Sequence, residues 1–191
     1  MPEPLSHFPT LETDRLLLRE TSLADAPVLF AIHSDAEAMR WFGTEPLPDE
    51  QAAQQVIEGW ATARSLANPG VRWGLERRSD GRLIGTCGLF RWNRNWRACM
   101  VGYELAREAW GQGFMREALL AVMGFGFRQM QLNRIEAQVH PENIASLKLV
   151  AGLGFVQEGL LREAGWWGGQ AQDLLQFSLL RREQRVVALV D

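Results

Sequence analysis

The sequence has little of several features that would indicate particular classes of protein. Its 191 residues include only two cysteines, Cys87 and Cys99, too few for a disulfide framework and without CxxC spacing. Reduced, packed thiols in a cytoplasmic protein are therefore expected. No apolar run approaches the ~20 residues that span a bilayer, and the first residues lack the charged-then-apolar pattern of a signal peptide. Membrane association is not expected.

Neither the distribution of charge nor the placement of the histidines indicates a nucleic-acid-binding or metal-binding protein. The net charge is −3 and the basic residues are dispersed, so no nucleic-acid footprint is visible. His7 and His33 have no partner pattern, and no metal site is expected. There is a single tyrosine, Tyr103. With 47% hydrophobic residues, the length suits one well-cored domain over residues 1–191, its core at about 10–182.

Hydrophobic periodicity and turn signals predict seven strands and four helices. The strands are expected at 15–19, 71–77, 82–91, 98–105, 134–139, 156–163 and 171–180. The helices are expected at 23–34, from Asp49 to a stop at 68–70, from Met115 to Met130, and at 143–153. Residues 41–48 are a predicted loop, and the final strands flank a turn at 166–169. This order predicts one mixed α/β domain.

The most informative stretch is the turn Gly111-Gln112-Gly113, which follows a strand and opens a helix. Such a turn exposes backbone N–H groups at the positive end of a helix and suits an anion such as a pyrophosphate. An ordinary tight turn is the alternative reading. The turn lacks the Gly-Lys-Ser/Thr of a P-loop and the third glycine of a dinucleotide fingerprint. A nucleotide that is held but not hydrolysed, such as coenzyme A, fits the pattern.

Four motifs in order carry a family resemblance. They are TDRLLLR at 13–19, IGTCG at 84–88, WGQGFMREA at 110–118, and NIAS at 143–146 followed by GLGF at 152–155. With them the chain resembles the GNAT superfamily of acetyl-CoA-dependent N-acetyltransferases, in particular the subgroup of ribosomal-protein N-terminal acetyltransferases (RimJ/RimL type). The match covers nearly the whole length.

The resemblance implies a mostly antiparallel twisted sheet of about seven strands, splayed between strands 4 and 5, with four flanking helices. It implies acetyl-CoA as acetyl donor, without a metal. The implied cofactor-binding residues are Leu105, Trp110, Gly111, Gln112, Gly113, Phe114, Met115, Asn143 and Ser146.

Three positions depart from the family pattern. Trp110 stands where the cofactor loop usually has Gln or Arg, and Met115 stands where it has Gly or Ala. The larger Met115 side chain is expected close to the pyrophosphate, and binding should survive because backbone amides do the binding. Many members place a tyrosine general acid on the fourth helix, but here that position is Val150.

Ser146 and Glu104 are the predicted catalytic residues. By resemblance Ser146 lies near the cofactor sulfur; a hydroxyl bonded to its own helix backbone is the alternative. Glu104 is a candidate base, on the strand face opposite Tyr103, with an ordinary solvated carboxylate as its alternative. Glu136 and His140 are less favoured. Asn143 can cap the fourth helix as well as reach the cofactor.

The resemblance places the acceptor cleft beside Trp41, Tyr103 and Trp166. The predicted function is acetyl transfer to a primary amine by direct attack in a ternary complex, with a protein N-terminal α-amine as one acceptor. A small-molecule amine acceptor and a catalytically silent acyl-CoA-binding domain stay open. A nucleotide- or nucleic-acid-binding domain conflicts with the acidic balance and the absent P-loop. Exposed tryptophans are compatible with a homodimer.

Overall fold

A computed structural model describes residues 7–66 and 69–184 of the chain. Asn68, at the predicted end of the second helix, lies outside the described residues, as do both chain ends. The span of 1–191 as one domain therefore stays a prediction.

The described chain forms eight strands and five α-helices. The strands are β1 (Leu11–Glu12), β2 (Leu16–Arg19), β3 (Val71–Arg77), β4 (Arg82–Asn93), β5 (Ala98–Leu105), β6 (Arg134–Val139), β7 (Val156–Trp167) and β8 (Gln170–Leu180). The helices are α1 (Ala26–His33), α2 (Ala36–Met39), α3 (Glu50–Ala63), α4 (Phe114–Arg128) and α5 (Ile144–Gly152).

The predicted mixed α/β fold is confirmed, with differences in detail. A two-residue strand, β1, joins the seven predicted strands at one edge. The extra helix α2 begins where the Asp35 side chain accepts hydrogen bonds from the Glu37 and Ala38 amides. The last hairpin is longer than predicted, because Trp166 and Trp167 still belong to β7. The turn of this hairpin consists only of Gly168 and Gly169, which both have positive φ.

The sheet has the order β1-β2-β3-β4-β5-β6-β8-β7, and every pair is antiparallel except β5 with β6. That parallel pair is short. It joins Ala98, Cys99 and Met100 to residues 134–136, and the remaining residues of β5 have no partner on β6. The predicted splay between these two strands is confirmed.

Two apolar clusters cover the two faces of the sheet. The main core packs α4 and α5 against β2–β6, with Trp73 edge-on to Phe125 at 5.5 Å between ring centroids. A smaller cluster joins α1 to α3 through Leu29 and Ile57. Neighbouring residues on β5 contact different helices: Glu104 contacts α1, and Tyr103 contacts α5. Because side chains alternate along a strand, these two helices lie on opposite faces.

No helix among residues 7–66 and 69–184 is long and apolar enough to cross a bilayer. Cys87 and Cys99 are both buried and free, as expected. Burial in the apolar core raises the pKa of both thiols well above its ordinary value, which makes them poor nucleophiles.

The substitution Trp73→Phe should cost the fold about 1–3 kcal/mol of unfolding free energy. Trp73 is fully buried, and its indole Nε1 donates to the Pro9 carbonyl at 2.5 Å. Phenylalanine leaves that carbonyl without its donor and leaves a small void. The matched control is Trp96→Phe, since Trp96 is 79% exposed; it should change stability by at most about 0.5 kcal/mol. Urea unfolding measures both, and equal effects would contradict the assigned role of Trp73.

Candidate active site

The glycine turn adopts the geometry that the sequence predicts for an anion site. Gly111 and Gly113 have φ values of +71° and +80°, in the left-handed region that disfavours other residues. Gly113 is also the N-cap of α4, without a side-chain cap. The first amides of a helix have no intrahelical acceptors, so the start of α4 directs N–H groups toward the turn.

Side chains around the turn hold it without covering it. The Trp110 indole Nε1 donates to the Leu105 carbonyl at 2.9 Å, which ties the turn to the end of β5. The Phe114 and Met115 side chains are only 5% and 7% exposed and belong to the main core. The Met115 side chain turns mostly into the core and leaves the backbone of the turn uncovered, although Met115 also lines the adjoining cavity. Its approach to a pyrophosphate stays a prediction.

Contacts between residues just before β2 (Thr13 and Arg15) and Glu117 on α4 stabilise the same turn. They are not predicted from the sequence. The Arg15 guanidinium donates to the Gln112 carbonyl at 2.9 Å and, through Nε, to Glu117 at 2.6 Å. Thr13 donates to the same Glu117 carboxylate at 2.6 Å. The Arg15 guanidinium also lies 4.4 Å from the centre of the Phe114 ring. Thr13, Arg15 and Glu117 all lie within recognised motifs, which is the only signal the sequence offers for them.

A cavity of about 1200 Å³ extends from the turn through the gap between β5 and β6. All the predicted site residues line it except Gln112, whose side chain folds back onto the Glu108 carbonyl at 2.6 Å. Those lining it are Trp41, Tyr103, Glu104, Leu105, Trp110, Gly111, Gly113, Phe114, Met115, Asn143, Ser146 and Trp166. The structure thus brings them together, while their individual roles stay predictions.

The start of α5 places Ser146 opposite β5. The Asn143 side chain caps the helix by accepting from the Ser146 amide at 3.0 Å. The Ser146 hydroxyl does not bond to its own helix but pairs with the Tyr103 hydroxyl at 2.5 Å between oxygens. Burial raises the pKa of Tyr103, although the Ser146 hydrogen bond opposes part of that rise. A half-buried pair of neutral hydroxyls therefore lies on the cavity wall.

Glu104 points to the other face of the sheet, as predicted, but it is 6% exposed rather than solvated. Its carboxylate accepts from Arg72 and Thr86 and lies 3.2 Å from His33 Nε2. Burial alone would raise the pKa of Glu104. The positive charge of Arg72 and the hydrogen bonds from His33 and Thr86 outweigh it, so that the pKa falls below its usual value. A carboxylate held in this way is a weak proton acceptor, and its role as a base stays a prediction.

The less favoured candidates have other partners. Glu136 accepts from Arg134 at 2.6 Å. His140 Nδ1 accepts from the Glu142 backbone amide at 3.1 Å, and its Nε2 lies 3.2 Å from Oε1 of the Gln172 side chain. In neutral His140 the proton is therefore on Nε2, which donates to Gln172.

Aromatic side chains form a region of the cavity apart from the turn. The Trp41 ring stacks on His140 at 4.1 Å between centroids, and the Arg40 guanidinium lies 4.5 Å from its centre. Trp167 packs edge-on to His140 and donates to the Arg40 carbonyl at 3.2 Å. Trp166, in contrast, is 73% exposed at the cavity mouth. Trp41 thus forms part of the cavity wall and is held by its neighbours, whereas Trp166 lies exposed at the rim of the cavity.

The chemical groups around the cavity match one kind of ligand. Within residues 7–66 and 69–184 no three His, Cys, Asp or Glu side chains cluster in a way that could hold an ion. The cavity offers backbone amides at the turn, hydroxyls on the wall and aromatic rings beyond them. Amides at a helix start suit the pyrophosphate of coenzyme A, so the residues present fit that molecule.

Comparison with known proteins agrees with this geometry. Residues 15–156 match the acetyltransferase (GNAT) domain family. The chain is 37% identical to the uncharacterized N-acetyltransferase YoaA of Bacillus subtilis strain 168, over 91% of this chain and 98% of that one. The chain therefore belongs to the GNAT acetyltransferases, and it is an acetyl-CoA-dependent acyltransferase.

Two further relatives have more specific descriptions. The chain is 29% identical to the [ribosomal protein uS5]-alanine N-acetyltransferase of Escherichia coli K12, over 85% of this chain and 86% of that one. Mycobacterium smegmatis RimJ, solved in complex with CoA-disulfide, superimposes with a TM-score of 0.77 at 25% identity, covering 88% of this chain and 83% of RimJ. The suspected RimJ/RimL-like subgroup is consistent with these matches.

Replacing Gly111 by alanine should weaken acetyl-CoA binding about tenfold. An L-residue in the left-handed region costs about 1 kcal/mol, and the strain favours turn conformations in which the amides no longer converge. Gly81→Ala is the matched control, because Gly81 has φ +67° and, like Gly111, has open space for 4 Å around the position that a Cβ would take. Both variants should lose similar stability, but only Gly111→Ala should lose affinity in calorimetric titration. Equal affinities would contradict the assignment of the turn.

The substitution Glu104→Gln should lower the unfolding free energy by about 3 kcal/mol, because it leaves the Arg72 charge buried without its partner. The double variant Arg72→Met/Glu104→Gln should lose less than the sum of the two single losses. Because the folded-state pKa is depressed, the wild-type advantage over Glu104→Gln is full above the unfolded-state pKa of about 4.3. It then shrinks as pH falls through the folded-state pKa. Denaturant unfolding across acidic pH measures it.

An opposite result would restore the catalytic reading of Glu104. If Glu104→Gln keeps its stability but loses turnover across neutral pH, the carboxylate acts as the base and the ion pair is secondary.

Proposed function

We propose that the protein transfers the acetyl group of acetyl-CoA directly to the α-amine of a protein N-terminus, in a ternary complex. The observation that carries this proposal is the state of the buried carboxylate. Glu104, the buried acid on the cavity wall, is neutralised by Arg72 and has a lowered pKa. The other lining acids, Glu37 and Glu142, are exposed at the surface. A site with a weak internal base favours an amine that is already neutral.

Amine basicity then separates the candidate acceptors. An α-amine has a pKa of about 7.7–8.0, so about a third of it is neutral at pH 7.5. A lysine side chain at about 10.4 is neutral only to about 0.1% at the same pH. The neutral, reactive fraction of an α-amine is therefore more than a hundredfold larger than that of a lysine side chain. This difference arises without any contribution from the enzyme. The relative named for acetylating the alanine of ribosomal protein uS5 supports the same class of acceptor.

The residues then have distinct tasks. The amides at the start of α4 hold the pyrophosphate, and Asn143 holds the first turn of α5. The amine attacks the thioester carbonyl, which gives a tetrahedral oxyanion. The backbone amide near Leu105, where β6 no longer pairs with β5, is the proposed donor to that oxyanion. Ser146 donates a proton to the leaving sulfur. Positioning supplies much of the rate because a thioester is already activated.

The acceptor mouth is open enough for a polypeptide. Trp166 is mostly exposed, and the turn at Gly168-Gly169 beside it is surface-exposed on the described chain. An extended peptide N-terminus can enter such a mouth while the rest of the acceptor stays outside. The buried, free cysteines fit the reducing conditions of the cytoplasm, where ribosomal proteins are made.

A pair of matched peptides tests the acceptor. One peptide carries a free N-terminal alanine and no lysine, and the other has a blocked N-terminus and one lysine. Free thiol released from acetyl-CoA should appear with the first peptide at a kcat/KM at least about 100-fold above that with the second, following the amine ionisation. Preference for the lysine peptide, or for a polyamine, would contradict the proposed acceptor. Binding of acetyl-CoA without turnover on any amine would indicate a silent acyl-CoA-binding domain.

A further inference from the structure

The two hydroxyls on the cavity wall form a contact that the sequence does not predict. The sequence predicts Ser146 as a residue acting alone and Tyr103 as a residue of the acceptor site. In the structure their oxygens are 2.5 Å apart, although the residues are 43 positions apart in the chain. Both line the cavity. The separation is short even for an O–H···O hydrogen bond, whose common range is about 2.5–3.0 Å.

The surroundings keep this contact in place. Asn143 fixes the first turn of α5 by accepting from the Ser146 amide. Tyr103 is held in β5, which pairs with β4 at this level through Cys87. The parallel pairing with β6 ends at Met100, so the gap that opens there is what brings α5 and β5 to the same cavity. The contact is therefore a product of the fold and not of a mobile loop.

The position that carries the acid in many relatives cannot supply a proton here. Val150 is fully buried in the main core and does not line the cavity. A second hydroxyl behind Ser146 would make up for that absence. A serine hydroxyl is by itself a very weak acid, and it donates more readily when another group returns a proton to its oxygen in the same step.

Resting on the proposed function, we propose that Tyr103 and Ser146 form a two-hydroxyl proton relay to the leaving thiolate, in which Tyr103 acts through Ser146. The amine lone pair first forms the C–N bond of the tetrahedral intermediate. As the intermediate collapses and the C–S electron pair departs with sulfur, Ser146 donates its proton to sulfur. Tyr103 donates its own proton to the Ser146 oxygen. The Tyr103 oxygen takes up the proton that the acylated nitrogen loses, directly or through a cavity water. The amine proton thus ends on the thiol, and both side chains finish neutral.

The burial of Tyr103 suits a concerted transfer. Burial raises the pKa of Tyr103, so a free phenolate is disfavoured and the proton must arrive as another leaves. The Ser146 hydrogen bond opposes that rise. The Ser146 hydroxyl therefore affects the ionisation of Tyr103, and this coupling can be measured without any acceptor.

The composition of the chain allows a direct measurement, because Tyr103 is its only tyrosine. Alkaline titration of the tyrosinate absorbance reports on Tyr103 alone. Ser146→Ala should shift that titration to higher pH, since it removes the hydrogen bond that favours the phenolate. Ser178→Ala is the matched control, as Ser178 is buried and its hydroxyl donates to Glu158 at 2.7 Å, away from the cavity. It should leave the titration unchanged. An unshifted curve for Ser146→Ala would overturn the hydroxyl pair.

Kinetics test the relay itself. Tyr103→Phe and Ser146→Ala should each lower kcat about 100-fold, with KM for acetyl-CoA nearly unchanged. The double variant should be no slower than the slower single variant, because two members of one relay are not additive. Ser146→Thr, which keeps a hydroxyl, should recover part of the loss. Independent, multiplicative losses, or a Tyr103→Phe variant with normal kcat, would overturn the relay.

Biosynthetic fluorotyrosine gives a readout that a purely structural role would not change. Fluorination lowers the phenol pKa, and the label enters only at Tyr103. The relay needs the protonated phenol, so kcat falls as pH rises through the Tyr103 pKa, and the fluorinated enzyme should lose activity at lower pH. If kcat falls at the same alkaline pH in the fluorinated and the unmodified enzyme, the relay is contradicted. A wild-type chain that releases no thiol with any amine contradicts the proposed function instead, whereas an active wild type with these negative results contradicts the relay alone.

Discussion

The separation of β5 from β6 after three residue pairs is the constraint on which the rest of the site depends. Two neighbouring parallel strands would normally continue together and fill the space between them with hydrogen bonds. Here β5 runs on to Leu105 without β6, and the gap becomes the cavity. The glycine turn at the end of β5 and the start of α5 after β6 then face each other across it.

This arrangement divides the chemistry among backbone, hydroxyls and rings. The proposed phosphate site consists of main-chain amides, and Gly111 and Gly113 supply the left-handed conformations of its turn. In the proposed mechanism the middle of the cavity relies on the Tyr103–Ser146 pair, while Glu104 on the cavity wall is held in an ion pair with Arg72. The buried Glu104 charge on the cavity wall is balanced by Arg72, so the proposed reaction takes place beside neutral or neutralised groups. A neutral middle suits a transfer in which a proton passes from nitrogen to sulfur without net charge.

Local patterns in the sequence predict much of the fold, and long-range contacts explain most of what they do not. Strands 71–77, 98–105 and 134–139 have the predicted bounds, because alternation and flanking turns are local signals. Period two also places Glu104 and Tyr103 on opposite faces. That Glu104 is buried depends on α1, 71 residues away through His33. Likewise, the Arg15–Glu117 ion pair joins positions 102 residues apart, and no pattern within a single sequence predicts such a pairing.

If the acceptor binds beside Trp41, as proposed, the environment of this side chain has a consequence for which acceptors fit. One face of the indole is covered by His140, and a guanidinium from Arg40 occupies the ring as well. In the proposed acceptor site, an aromatic residue of the acceptor would meet a ring that already has two stacking partners. What it meets is a wall already ordered before binding, so that little conformational entropy is lost on contact. Under the proposed function, such a wall would limit the bulk of the residue beside the amine more than it would reward any particular side chain.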